Sequence, residues 1–159
     1  MQPDSPLGAL VARIAGPGEV RWIGLRPGRR MPVQAVERAA IALDGLAGDH
    51  RASPGKRAVT LIQWEHLPVI AALARHDQVD PALLRRNIAV AGVNLLGLRN
   101  RAFRIGTAVL RGSGLCAPCS RMEEVLGPGG YAAVRGHGGI TAEVVEPGEM
   151  APGDAVTPV

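Results

Sequence analysis

The sequence is poor in aromatic residues, in lysine and in long apolar runs. Its 159 residues include two Trp, one Tyr and one Phe, which is too few for a surface that stacks the bases of single-stranded nucleic acid. No apolar run reaches the roughly 18 residues that a transmembrane helix needs. The first residues also lack the basic start and apolar centre of a signal peptide. We therefore expect a cytoplasmic protein with no membrane partner.

Size and charge indicate one globular domain with a basic surface. Hydrophobic residues make up 47% of the chain and charged residues 20%, which excludes a wholly disordered protein. We interpret residues 1–159 as a single domain, because a chain of this length is the size of one domain. The net charge is +4, and every basic residue except Lys56 is an arginine. Arginine binds phosphate and carboxylate groups in a bidentate way, so an anionic ligand is one explanation for the preference of arginine over lysine. The base composition of the genome is the alternative explanation.

Short apolar runs separated by scattered glycine and proline predict a mainly β fold. The predicted strands cover 9–15, 19–25, 58–63, 87–93, 103–112 and 139–145, with a last short strand after them. Residues 33–43 fit a helix or a strand, because alanine and glutamate favour the first and the flanking turns the second. The absence of a repeat favours a β-barrel over a sandwich.

Two or three short helices complete this prediction. Helical spacing of apolar residues predicts a helix over 64–76 that begins near Glu65. A second short helix is expected from Pro81 to Arg86, with Asp80 as its N-cap. A third is expected after Ser120 as N-cap, with Glu123 at the spacing of a capping box.

The segment CAPCS contains both cysteines, Cys116 and Cys119. Cys119 lies just before a predicted helix N-terminus and next to the cation of Arg121, which favours the thiolate that ligates metals or attacks sulfur. Two buried, unreactive thiols are the alternative. A Cys-x-x-Cys is also half of a zinc site or a dithiol redox pair, and His50 or His137 would have to complete a zinc site.

Two further groups of polar residues are candidates for an anion site. The glycine-flanked loop 45–51 carries Asp49, His50 and Arg51 and is followed by Arg57. The cluster Arg85-Arg86-Asn87 lies at a predicted helix-to-strand junction. Arginines in such positions can hold a phosphate group, or they can be solvated turn charges and charges that complement a helix C-terminus.

Five segments follow one another along the chain: GLAGDHR, RAVTLIQWE, LLRRNIAVAGVNLLGL, FRIGTAVLRGSGLCAPCSRMEEVLG and GHGGITAEVVEPGEMAPGDAV. In this order they resemble the MOSC domain, which is found at the C-terminus of molybdenum-cofactor sulfurases and as stand-alone bacterial proteins. The resemblance covers about residues 20–159. It implies a β-barrel-like fold that binds the molybdenum cofactor (molybdopterin) or carries sulfur on one cysteine.

The resemblance also implies roles for single residues. Cys119 matches the cysteine that ligates molybdenum, and we take it as the catalytic residue. Cofactor binding is implied for Arg57, Arg86 and Asn87, with Asp49 and Arg51 in support, and we add Arg121 to this group as a nearby cation. We expect no pyridoxal phosphate on this chain, because the sulfurases' pyridoxal-phosphate domain is not among these residues.

Three functions follow as hypotheses. The first is a molybdenum-dependent enzyme that reduces small N-hydroxylated substrates, with Cys119 as molybdenum ligand and an external electron donor. The second is a sulfur carrier that holds a persulfide on Cys119, exchanges it with donor or acceptor proteins and uses Cys116 as a possible resolving thiol. The third is a basic nucleic-acid-binding module, which only the charge supports and which we do not expect.

Overall fold

The computed structural model describes residue 2 and residues 4–51 and 53–159. The strands are β1 (Gly18–Leu25), β2 (Gln34–Ala35), β3 (Ala39–Ala42), β4 (Gly45–Leu46), β5 (Val59–Gln63), β6 (Ile88–Ala91), β7 (Ala102–Ile105), β8 (Ala108–Leu115), β9 (Ile140–Glu146), β10 (Gly148–Met150) and β11 (Ala155–Pro158). The helices are α1 (Pro6–Ala12), α2 (His66–Ala74), α3 (Ser120–Leu126), α4 (Gly130–Val134) and a 3-10 turn (Leu95–Leu98). Together they confirm the predicted mainly β fold with a few short helices.

Seven strands close into a barrel in the order β1, β6, β5, β9, β8, β7 and β11, with β11 pairing back onto β1. Neighbouring barrel strands are antiparallel except β5 and β6, which run parallel. A parallel pair needs a crossover connection, and α2 with the turn that follows it provides this one. Strands β3, β4 and β10 form a small second sheet. Among the described residues, no helix is long and apolar enough to cross a lipid bilayer.

Two apolar cores explain why the central strands are buried on both faces. Leu61 and Ile88 belong to a core that also holds Phe103 and the other barrel side chains. Their neighbours Ile62 and Ala89 belong to a second core, which is shared with α2, α3 and α4. Since side chains alternate between the faces of a strand, β5 and β6 fill the barrel with one face and hold the helices with the other.

Three predictions about the extent of strands and helices are wrong. Residues 9–15 were expected to form a strand, but α1 covers Pro6–Ala12, and the Ser5 hydroxyl caps it by accepting a hydrogen bond from the Gly8 amide. Residues 81–85 form turns rather than a helix, and Arg85 has a left-handed φ of 57°. The strand over 103–112 is divided by a turn at Gly106, which separates β7 from β8. The undecided segment 33–43 contains the short strands β2 and β3.

Candidate functional site

A basic cavity of about 360 Å³ opens at the start of α3. The lining includes Arg26, Arg29, Arg30, Arg85, Arg86, Arg121 and Cys119. We call it the arginine cavity. Among its described lining residues, Glu124 is the one carboxylate. The excess of positive charge favours the binding of an anion in this cavity.

Cys119 lies at the N-cap of α3, and its side chain is exposed. The prediction of Ser120 as N-cap is wrong, because Ser120 is already the first helical residue. Glu123 forms no capping box; its carboxylate accepts hydrogen bonds from the backbone amides of Gly129 and Tyr131 and so holds the start of α4. The thiol is therefore one residue closer to the helix than the sequence indicated.

Two arginines of the arginine cavity form hydrogen bonds to the turn at residues 26–32. Arg85 donates from its guanidinium to the carbonyl oxygens of Gly28, at 2.8 Å, and of Met31. Arg121 donates from Nη1 to the carbonyl oxygen of Arg29 at 3.2 Å. Because these bonds hold the turn, its side chains Arg29 and Arg30 line the cavity. Nothing in the local sequence of this turn joins it to the cysteine segment.

Asp49 holds Arg26 in a buried, bidentate ion pair. Arg26 Nε lies 3.0 Å from Asp49 Oδ1 and Nη2 lies 2.8 Å from Oδ2, while the Arg26 amide donates to Oδ1 at 2.8 Å. The side chain of Asp49 is 1% exposed and that of Arg26 14%. Burial raises the pKa of Asp49, but the hydrogen bonds and charge of Arg26, with the Arg51 amide, outweigh it and bring the pKa below its usual value. Asp49 thus stays ionised and fixes Arg26 beside the cavity.

Asn87 lies behind this ion pair and is fully buried. Its Nδ2 donates to Asp49 Oδ1 at 3.3 Å and to the Gly24 carbonyl at 3.2 Å. Its Oδ1 accepts from the Thr60 amide at 3.1 Å. Asn87 therefore connects β1 and β5 to Asp49 and does not line the arginine cavity, although a direct role in binding the cofactor was expected.

Arg86 is a buried cation that forms hydrogen bonds to three segments of the chain. It donates from Nε to the Gly138 carbonyl at 2.8 Å, from Nη1 to the Leu84 carbonyl at 2.9 Å and from Nη2 to the Cys116 carbonyl at 3.5 Å. Burial lowers its pKa, while the two nearby cysteines act in the opposite direction. No described carboxylate forms an ion pair with it. A buried cation without a counter-charge is costly, so Arg86 increases the cavity's preference for an anion.

Arg51 and Arg57 lie outside the described lining of the arginine cavity. The amide of Arg51 donates to Asp49 Oδ2 at 3.3 Å, and its buried Nε has no hydrogen-bond partner among the described residues. Arg57 is exposed just before β5, near enough to Arg86 for its charge to lower the pKa of Arg86. The structure therefore joins Cys119, Arg86 and Arg121 in one cavity, with Asp49 behind them.

Cys116 faces a different environment from Cys119. It is buried, and it lines a separate cavity of about 300 Å³ together with Ala117 and Pro118. Its amide donates to the Gly139 carbonyl at 2.9 Å. No described group of three or more His, Cys, Asp or Glu side chains could hold a metal ion, so a zinc site built on the cysteine pair has no support.

His66 and His137 join loop 136–139 to the start of α2. Their Nδ1 atoms are 3.4 Å apart and their rings are perpendicular. Burial lowers the pKa of His66, and the charge of His137 lowers it further, against a smaller opposite effect of Glu65. The loop that binds Cys116 and Arg86 is thus held against α2 by His66, whose imidazole resists protonation.

We expect the pKa of His66, measured by NMR titration, to lie below 6.5 and to rise in the variant His137→Ala. A lowered folded-state pKa means that the folded protein binds fewer protons than the unfolded chain. Keeping His66 neutral in the folded protein therefore stabilises it at a pH above the unfolded-state pKa. This stabilisation is lost as the pH falls through the folded-state pKa of His66. His50→Ala, at an exposed position, is the control. A His66 pKa that does not respond to His137→Ala would contradict the interpretation.

The molecule is a small closed β-barrel with an exposed thiol at an arginine-lined cavity. The model of the MOSC domain family matches residues 44–157, and the chain belongs to this family. The family is associated with the molybdenum cofactor. A search of curated proteins found no match.

Solved structures share the fold at low sequence identity. The YuaD protein from Bacillus subtilis is 18% identical with a TM-score of 0.78, and the match covers 89% of this chain and 94% of that one. YiiM from Escherichia coli is 19% identical with a TM-score of 0.70, covering 89% and 69%. YiiM from Geobacillus stearothermophilus is 17% identical with a TM-score of 0.75, covering 90% and 75%. At these identities the likeness concerns the fold.

Proposed function

We propose that the arginine cavity binds the molybdenum cofactor and that Cys119 supplies a thiolate ligand to the metal. One observation supports this proposal most strongly: six arginines and one exposed thiol line the same cavity. The family membership supports it, because the MOSC family is associated with this cofactor.

The residues fit the chemistry of such a cofactor. Molybdopterin carries a phosphate group, which guanidinium groups bind in a bidentate, charge-assisted way. The buried cation of Arg86 has no described carboxylate partner, and an anion in the cavity would supply its counter-charge. Thiolates suit soft metal centres, and Cys119 lines the same cavity. A volume of about 360 Å³ lies within the usual range of small-molecule sites.

The reaction that we propose is the reduction of an N-hydroxylated compound. When bound, the cofactor supplies a metal that exchanges two electrons. The N–O bond of R–NH–OH breaks, and two electrons and two protons are taken up to give R–NH₂ and water. The electrons come from an external donor. In this scheme Arg26, Arg29 and Arg30 bind the anionic part of the cofactor, and Asp49 keeps Arg26 in position.

Sulfur transfer is the second candidate, and the exposure of Cys119 favours it. An accessible thiolate can attack the outer sulfur of a donor persulfide, R–S–S⁻. The sulfur–sulfur bond of the donor breaks, R–S⁻ leaves, and Cys119 becomes the persulfide without net oxidation. Cys116 is buried beside a separate cavity. Burial makes Cys116 the less accessible of the two thiols, and we keep it as the possible resolving thiol of this scheme.

The metal and pterin content of protein purified from a cofactor-competent host tests the first candidate. We expect molybdenum and pterin in wild type and in Cys116→Ser, and a loss of most of the molybdenum in Cys119→Ser. Arg30→Gln should lower the pterin content about tenfold, because it removes a charged donor, whereas Arg104→Gln, on the exposed side of β7, should not. Absence of both molybdenum and pterin from wild type would overturn the proposal.

Intact-mass analysis after incubation with a persulfide donor separates the second candidate from the first. A gain of one sulfur atom in wild type and Cys116→Ser, but not in Cys119→Ser, supports sulfur carriage. The absence of a mass gain in wild type, or the same mass gain in wild type and Cys119→Ser, would exclude it.

A further inference from the structure

Both tryptophans of the chain line one cavity of about 420 Å³, which shares no described residue with the arginine cavity. Trp22 lies on β1, and Trp64 follows directly after β5. The lining also includes the buried side chains of Leu67 and Val79. We call this space the tryptophan cavity. In a chain with so few aromatic residues, two indoles in one cavity form a distinct chemical environment.

The tryptophan cavity is acidic, whereas the chain as a whole is basic. Asp77 and Asp80 line it, and no Arg, Lys or His is among its described lining residues. Asp77 is exposed and forms no ion pair within the part of the chain that the structure describes. Asp80 Oδ1 accepts a hydrogen bond from the Ala82 amide at 2.8 Å. Two acidic residues thus line a cavity that also contains both indoles, on a protein with a net charge of +4.

The ring of Trp64 already accepts a cation within the molecule. The Arg21 guanidinium carbon lies 6.0 Å from the centroid of this ring, at the limit of a cation–π contact. Arg21 is also paired with Glu19, at 3.2 Å, so its charge is partly compensated. Trp64 is 36% exposed, which leaves part of the indole open to a ligand.

We propose that the tryptophan cavity binds a small quaternary ammonium compound of the choline type. Indoles attract such cations through the negative face of the ring, and the carboxylates of Asp77 and Asp80 supply the counter-charge. The methyl groups of a quaternary ammonium suit walls such as Leu67 and Val79, whereas a primary ammonium is strongly hydrated and gains less from apolar contact. The proposal is independent of the arginine cavity and its ligand.

Intrinsic fluorescence tests this proposal, because both tryptophans of the chain lie at the site. The purified full chain is titrated with choline and with its neutral carbon isostere, in which a tert-butyl group replaces the trimethylammonium group. We expect choline to change the tryptophan emission saturably and the isostere to bind about tenfold more weakly or less. The two compounds have nearly the same shape, so the difference isolates the charge.

Two conservative variants make the test specific. Asp77→Asn should weaken choline binding while leaving the isostere unchanged. Asp44→Asn, at an exposed acidic residue outside the cavity lining, should leave both unchanged, and circular dichroism confirms that each variant is folded. Equal affinity for choline and its isostere, no saturable change in emission, or an Asp77→Asn variant that binds choline like wild type would each overturn the proposal.

Discussion

Gly139→Ala is expected to lower the free energy of unfolding by about 3 kcal/mol or more. Gly139 has a φ of +88°, and a Cβ there would lie 1.8 Å from the Leu61 carbonyl oxygen and 2.9 Å from Ile62 Cα. Both atoms belong to the backbone of β5, which pairs with β9 through Leu61 and Ile140. Because neither strand can move without breaking the barrel, the clash cannot be relieved cheaply. Urea denaturation followed by circular dichroism measures the effect.

Gly136→Ala is the matched control. Gly136 lies in the same loop with a φ of +82°, but a Cβ added there would meet nothing within 4 Å. Both variants therefore carry the strain of a left-handed alanine, about 1 kcal/mol, and only Gly139→Ala adds the steric clash. Similar losses in the two variants would mean that φ alone requires glycine in this loop.

The same glycine loop supports the candidate site. The Gly139 carbonyl accepts the Cys116 amide, and the Gly138 carbonyl accepts Arg86 Nε. A displaced loop would therefore loosen both the cysteine segment and the buried cation of the arginine cavity. Residual folded Gly139→Ala protein should retain less of the proposed cofactor than Gly136→Ala protein does.

The sequence predicted the barrel better than its local details. Alternating and fully apolar runs gave most of the barrel strands, because burial on one or both faces leaves a pattern in the sequence itself. The apolar residues of 9–15 suggested a strand, although Ser5 and Pro6 already carried the signal of a helix start. The turn at Gly106 was missed because the flanking strands continue the same apolar pattern. Local chemistry of caps and turns competed with hydrophobic pattern at each of these places.

The sequence alone identified only some of the residues of the candidate site. Cys119 and Arg121 were found because they are neighbours in the chain, and Arg86 because it belongs to a basic cluster. Arg29 and Arg30 were missed because their position depends on contacts across the chain, such as the bond from Arg85 to Gly28, 57 residues away. No local pattern encodes such a contact.

Asp49→Ala is expected to destabilise the protein by about 3–5 kcal/mol, as is usual when one partner of a buried ion pair is removed. The variant leaves the Arg26 guanidinium and Asn87 Nδ2 without the carboxylate that both now contact. Asp44→Ala, at an exposed acidic residue, should change stability by less than about 0.5 kcal/mol. Chemical denaturation at neutral pH measures both.

A double-mutant cycle separates the ion pair from the packing around it. If Arg26 and Asp49 stabilise mainly each other, Arg26→Ala combined with Asp49→Ala should cost clearly less than the sum of the single changes. The coupling should also depend on pH. Because the folded-state pKa of Asp49 is lowered, its contribution is complete above the unfolded-state value of about 3.9 and is lost as the pH falls through the folded-state pKa. Wild type and Asp49→Ala should therefore approach each other in stability under strongly acidic conditions. Additive single changes at neutral pH would instead show that Asp49 acts through the backbone amides of Arg26 and Arg51, and Arg26 would then be free to move toward a ligand.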